Sequence, residues 1–210
     1  MQKIAIWGAA SGLGAAMVEQ FHQLGFEVTA IARDPSKNLQ LEQKNIPSIR
    51  CDATDKDQVN AAVSQLPQDT LHVSSMGSFM ADVPVDYLGH RHLIDAMEAQ
   101  QCTRLILITS LGCGDTWQYL SERAKQGFGA VVREKSLAET WLTSSSLDYT
   151  IVRPGGLKDG NVTHQAQLSQ NSEVHGVISR QELARVVSTL INDPTSIGQI
   201  YHCIDPNLSY

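Results

Sequence analysis

Short apolar runs recur along this chain, each followed by a stretch with helical spacing, and that alternation limits the fold more than any other feature. KIAIW (Lys3–Trp7), EVTAIA (Glu27–Ala32), LHVSSM (Leu71–Met76) and RLILIT (Arg104–Thr109) carry apolar residues at consecutive positions. A strand with one wet face alternates apolar with polar side chains. One that is apolar on both sides lies between two layers of helix. Shorter runs at Ile46–Cys51, Tyr149–Val152 and Ile200–Ile204 extend the series. Between them, Gly14–Leu24, the segment DKDQVNAAVSQL, Tyr87–Gln100, Gly129–Thr143 and Ser179–Asn192 read as helices. The pattern predicts an α/β fold built on a doubly wound parallel sheet, since right-handed crossovers place helices on both faces. Residues 155–175 are polar and weakly periodic, and read as a surface loop or a substrate-side lid. The expectation is a single domain over residues 1–210 with a small C-terminal extension on the substrate side.

Composition narrows the function. Apolar residues make up 42% and charged residues 18% of the 210, enough for a sizeable core. A net charge of −6 without any basic run argues against nucleic-acid binding. The opening MQKIAIWG has too short an apolar stretch for a signal peptide, and no apolar run approaches the ~20 residues of a membrane span. The four cysteines, Cys51, Cys102, Cys113 and Cys203, are widely spaced and fit neither a zinc pattern nor a disulfide framework. They read as buried, reduced thiols of a cytoplasmic protein that binds no metal.

The stretch WGAASGLGAA lies between the first strand and the first helix. Gly8, Gly12 and Gly14 give G-x-x-x-G-x-G, with Ala10 and Ser11 inside the loop. A phosphate at a helix N-terminus needs close backbone approach and inward-pointing N–H groups, which is why glycine recurs in such loops. Ser11 adds a small hydroxyl donor. Arg33 stands directly after the second strand, roughly 20 residues past Gly14, where an acidic residue would hold the ribose of NAD and a basic one the 2′-phosphate of NADP. Its planar fork suits phosphate, so NADP(H) is expected over NAD(H); Lys37 is equally suited to assisting it and to standing inert on the surface. Asp34 follows one position late, where it also suits the start of a turn with Pro35. Asp52 is placed either to accept a hydrogen bond from an adenine amino group or to cap the next helix. Ser75, Met76 and Gly77 close the fourth strand beside the cofactor.

In order and spacing, GAASGLG, VTAIARDPSK, CDATD, RLILITSLG and LDYTIVRPGGL resemble the atypical short-chain dehydrogenase/reductases, which have NAD(P)-binding Rossmann folds. The ending HGVISRQELARVVSTLINDPTSIGQIYHC is most similar to the biliverdin-IXβ reductase/flavin reductase branch. NADPH-binding regulators of the nitrogen-metabolite-repressor type share the same core. The resemblance implies that Gly8, Ser11, Gly12, Leu13 and Gly14 hold the pyrophosphate and that Asp52 and Ala53 line the adenine. It places Met76, Gly77, Thr109, Ser110, Pro154 and Gly155 around the ribose and nicotinamide.

Conventional relatives use a tyrosine four residues before a lysine. Here Lys135 is preceded at that distance by Val131, and Tyr119 is spaced wrongly from Lys125. Catalysis then rests on placing donor and acceptor face to face, with the proton coming from solvent or a nearby side chain. Ser110 and Lys135 are the catalytic candidates. Ser110 is equally suited to tying down the strand end, and Lys135 to pairing with Glu139 one turn on. Trp117, Tyr119 and Phe128 suggest an aromatic wall for a flat substrate, with Gly156 and Leu157 from the late loop. His164 and His175 are more remote proton donors. The expected function is NADPH-dependent reduction of a small planar acceptor (flavin, bilin or quinone-like) by a monomer or homodimer. The missing tyrosine leaves open an NADP(H)-sensing protein without turnover.

Overall fold

Strand residues that alternate between two dry faces organise the molecule. The computed structural model describes residues 1–78 and 83–209; Phe79–Asp82 and Tyr210 lie outside the described residues. The chain runs through β1 (Lys3–Trp7), α1 (Gly12–Gln23), β2 (Glu27–Ala32), α2 (Leu39–Gln43), β3 (Ser48–Arg50), α3 (Lys56–Ser64), β4 (Leu71–Ser74) and α4 (Val85–Ala99). It continues with β5 (Arg104–Ile108), α5 (Glu122–Thr143), β6 (Asp148–Pro154), β7 (Gly156–Lys158), β8 (Gln167–Ser169), β9 (Val177–Ser179), α6 (Arg180–Leu190) and β10 (Gln199–Ile204).

The sheet has the order β3-β2-β1-β4-β5-β6-β10-β8, parallel except for β8, while β7 and β9 pair separately. In β1, Ile4 and Ile6 face a core shared with α1 and α6, and Ala5 and Trp7 face one shared with α3, α4 and α5. That two-sided burial explains the continuous apolar runs, and the doubly wound sheet read from the sequence is the one observed. Chain order reverses between β1 and β4, so the loops after these strands frame the crevice where such sheets bind ligands.

Four differences from the sequence reading have physical causes. α5 begins at Glu122 rather than Gly129, because the Ser121 hydroxyl accepts from Ala124 N and caps the helix there. Only Ser48–Arg50 of the expected Ile46–Cys51 pairs as β3. α2 forms where none was expected, capped by Asn38, whose buried amide also donates to the Ala9 carbonyl at 2.9 Å. Residues 155–175 are not all loop: β7 and β8 lie there, held by partners distant in sequence. All four cysteines are free and buried, as expected.

Candidate active site

The glycine loop is shaped by contacts that leave no space for side chains. Gly8 and Gly12 have φ of +85° and +54°, values that L side chains rarely adopt. The N–H groups of Gly8 and Ala9 both donate to the Ile31 carbonyl, pinning the loop to the end of β2. A Cβ on Gly14 would stand 2.0 Å from the Gly8 oxygen, so α1 approaches the loop more closely than alanine permits. A Cβ on Gly8 would come 3.1 Å from Met76 N, which puts the loops after β1 and β4 in direct contact. Ser11 caps α1 in an extended conformation without using its side chain, and the first turn holds no acidic residue. The positive end of the helix therefore keeps its capacity for an anion. The Leu13 side chain is buried in the core, so only its backbone remains for a ligand.

A cavity of about 240 Å³ opens beside this loop. Its lining includes Gly8, Ala10 and Ser11 from the glycine loop, Arg33 and Lys37 after β2, and Asp52, Ala53, Met76 and Gly77. Arg33 is exposed and makes no ion pair among the described residues. Asp34 accepts from Ser36 Oγ at 2.6 Å and leads into a 3-10 turn at Pro35–Lys37, although it also borders the cavity. The Ser36 hydrogen bond holds its carboxyl below the usual range. Asp52 is not the cap of α3, a role taken by Asp55. One Asp52 oxygen accepts instead from the N–H and hydroxyl of Thr54. A loop of closely approached glycines, a helix N-terminus that no side chain caps and two cations together make this cavity suited to phosphate groups.

A second cavity, of about 580 Å³, lies beyond the ends of β5 and β6. Thr109, Ser110, Pro154, Gly155, Gly156 and Leu157 form its floor, and Tyr119, Leu120 and Phe128 its apolar wall, with His175 on its lining. Trp117 is not brought to it: that ring lies against Gly129 and under the side chains of Arg133 and Lys125. His164 is not brought there either, and its backbone N–H donates to Glu182. Ser110 Oγ donates to the Leu111 carbonyl at 3.0 Å, and the residue also lines the cavity. Thr109 Oγ1 donates to Glu139 at 2.6 Å and is engaged away from the cavity.

Lys135 links the two cavities. It lines the second, while its Nζ donates to the carbonyl of Met76, a residue of the first. Its ionic partner is not Glu139 but Asp86, whose Oδ1 is 2.9 Å away on a fully buried side chain. That contact is electrostatic rather than an aligned hydrogen bond, since Oδ1 has no partner of hydrogen-bond geometry. The other oxygen, Oδ2, accepts from Ser78 N and Oγ. Burial works against the Asp86 charge, but Lys135 and the Ser78 N–H hold its carboxyl below the ordinary range. Glu139 is bound bidentately by Arg153, which also reaches Asp115. This buried network joins α5 to the ends of β5 and β6, and so fixes the floor of the second cavity.

Asp86 escaped the sequence reading because an acidic residue in a first helical turn ordinarily reads as a solvated one. Glu139 and Arg153 were equally hidden, since their pairing spans two elements. No group of His, Cys, Asp and Glu side chains among the described residues is arranged to hold a metal. No helix among them is long and apolar enough to cross a membrane.

Comparison with known proteins places this geometry in context. Residues 8–194 match the family model described as NAD(P)H-binding. Among solved structures, the anaerobillin reductase ChuY from Escherichia coli O157:H7 superposes with a TM-score of 0.91 and 42% identity over 100% of both chains. ChuY from E. coli strain CFT073 gives a TM-score of 0.89 at 42% identity, again over 100% of both chains. The chloroplastic protein TIC 62 of Pisum sativum is 25% identical over 91% of this chain, which spans 40% of that protein's length.

Proposed function

This chain belongs to the NAD(P)H-binding family, and we propose that it is an NADPH-dependent reductase that passes a hydride to a planar conjugated acceptor, a bilin or a flavin. The observation that carries this reading is the pair of cavities joined at Lys135, one polar and suited to phosphates, the other apolar and walled by aromatic rings. The match to an anaerobillin reductase supports the bilin class of acceptor.

Bound reduced nicotinamide supplies the hydride, and the residues of the chain have only to hold, orient and protonate. The N–H groups at Ala10, Ser11, Gly12 and Leu13 receive the pyrophosphate, with Gly8 letting the backbone approach it and Gly14 admitting the helix. Arg33 and Lys37 take the 2′-phosphate, and Asp52 and Ala53 the adenine. Met76, Gly77, Thr109, Ser110, Pro154 and Gly155 border the ribose and nicotinamide. Lys135, held in place by its ion pair with Asp86, binds the ribose hydroxyls and favours negative charge developing on the acceptor. Tyr119, Phe128, Gly156 and Leu157 hold the acceptor flat and exclude water. The proton comes from solvent or from His175.

The test is NADPH oxidation with biliverdin-type bilins, FMN and quinones. Turnover with at least one of them, faster with NADPH than with NADH, is expected. Tight NADPH binding with no turnover on any acceptor overturns the reductase reading in favour of a sensor. Arg33→Ser is expected to weaken NADPH by about 1.5–3 kcal/mol, or roughly 10- to 100-fold, and to leave NADH unchanged. Equal loss for both cofactors removes Arg33 from the 2′-phosphate.

A further inference from the structure

Neither cavity explains the ion pair between Arg180 and Asp159. Arg180 opens α6 directly after β9, and its Nη1 lies 2.6 Å from Asp159 Oδ1. The same side chain reaches the first turn of α1: a Cβ built on Gly12 would stand 3.6 Å from Arg180 Nε. Gly12 follows Ser11, which lines the first cavity. Asp159 follows β7, whose Gly156 and Leu157 line the second. The pair therefore bridges the first turn of α1 and the segment after β7, which adjoin in sequence residues of the first and the second cavity.

The two partners are unequal. The Asp159 side chain is 96% exposed and that of Arg180 29%. An exposed carboxylate holds a guanidinium weakly, because both ions remain hydrated and screened. A diphosphate offers more charge and several acceptor oxygens matched to the guanidinium fork. At the same point α1 presents its N–H groups and the positive end of its dipole, with no acidic residue in its first turn.

We propose that Arg180 is a cofactor-binding residue that holds the dinucleotide pyrophosphate together with the N-terminus of α1, and that Asp159 is the counter-ion it gives up on binding. This rests on the nicotinamide-dinucleotide reading above. It differs from the role of Arg33 in one respect that can be measured: the pyrophosphate is common to NADPH and NADH, and the 2′-phosphate is not.

The experiment is titration of the full chain with NADPH and with NADH by calorimetry, without acceptor, for wild type, Arg180→Gln, Arg180→Lys and Asp159→Asn. Arg180→Gln is expected to weaken both cofactors by about 10- to 100-fold, as loss of a charge-assisted contact does. Arg180→Lys falls between it and wild type. Asp159→Asn binds both at least as tightly as wild type, because the competing anion is gone while the cation stays. The proposal is overturned if Arg180→Gln leaves both dissociation constants within twofold of wild type. It is equally overturned if Asp159→Asn weakens binding as much as Arg180→Gln, since the pair is then only structural. That second variant decides the matter even where Arg180→Gln lowers the melting temperature. A wild-type chain that binds neither cofactor fails at the underlying reading, and this proposal falls with it.

Discussion

Lys135 shows how much of a site's chemistry depends on one contact. An ammonium next to a fully buried carboxylate is a matched pair, and either partner alone is a buried charge without compensation. Lys135→Met is therefore expected to act twice. It lowers kcat/KM with NADPH and acceptor by roughly 10- to 100-fold, from loss of a charge-assisted contact. It also lowers unfolding free energy by about 3–5 kcal/mol, because Asp86 is left unpaired. Steady-state kinetics and urea denaturation check the two effects. A second substitution, Asp86→Asn, on that background is expected to restore much of the stability and none of the rate. Recovery of both would mean that Lys135 serves only to neutralise Asp86. The lysine itself was legible in the sequence as a candidate, and the residue that makes it useful was not. Lys135 is marked by its spacing, with Val131 four residues before it, whereas the burial of Asp86 exists only once α4 and α5 pack together.

Among the elements, the join between β1 and α1 tolerates least. The Gly8–Gly14 contact leaves no space for a methyl group, and the atom opposite is backbone. Gly14→Ala therefore has to displace the helix rather than a side chain. A loss of about 1–3 kcal/mol or more, together with weaker binding of both nicotinamide cofactors, is expected in denaturation and titration measurements. Unchanged values on both would show that α1 can shift freely. Strands buried on both faces, such as β1 and β5, announce themselves because every position is constrained. Strands such as β7 and β8 do not, since each is three residues long and its partner is remote in sequence. The start of α5 was missed for a different reason. Gly127 and Gly129 lower the helical signal, yet Gly129 lies where Trp117 packs against the helix, and a Cβ built there would stand 3.0 Å from the ring.

Across the whole molecule, the response to acid follows from two histidines buried in neutral form. Burial pushes His72 and His90 down to about 4. His72 Nδ1 accepts from the Trp7 indole, and its Nε2 has no partner among the described residues. The unfolded chain takes up these protons near pH 6.5 and the folded one near 4, so stability is full above pH 6.5 and declines as pH falls toward 4. The decline attributable to His72 is roughly 2–4 kcal/mol. Urea midpoints measured at pH 7, 5.5 and 4.5 are expected to fall in that order, and His72→Gln to flatten the slope. A midpoint constant over this range would mean that both rings take up protons in the fold as readily as in the unfolded chain. The lining of the first cavity was largely legible from the sequence, because glycines and an arginine at fixed distances from strands leave a signature. The second cavity was less so: Tyr119 and Phe128 reach it and Trp117 does not, a choice made by how the 3-10 turn at Gly114–Tyr119 packs on α5. The ends of the sheet carry one more consequence. Its outermost strands, SIR in β3 and QLS in β8, are each three residues long, largely polar and not fully buried at any position. A free sheet margin is a template on which another chain can add a strand, and its pull grows with length and apolarity. Closed off at both margins by such brief, wet strands, the apolar interior of this sheet is guarded against stacking edge to edge with its own copies.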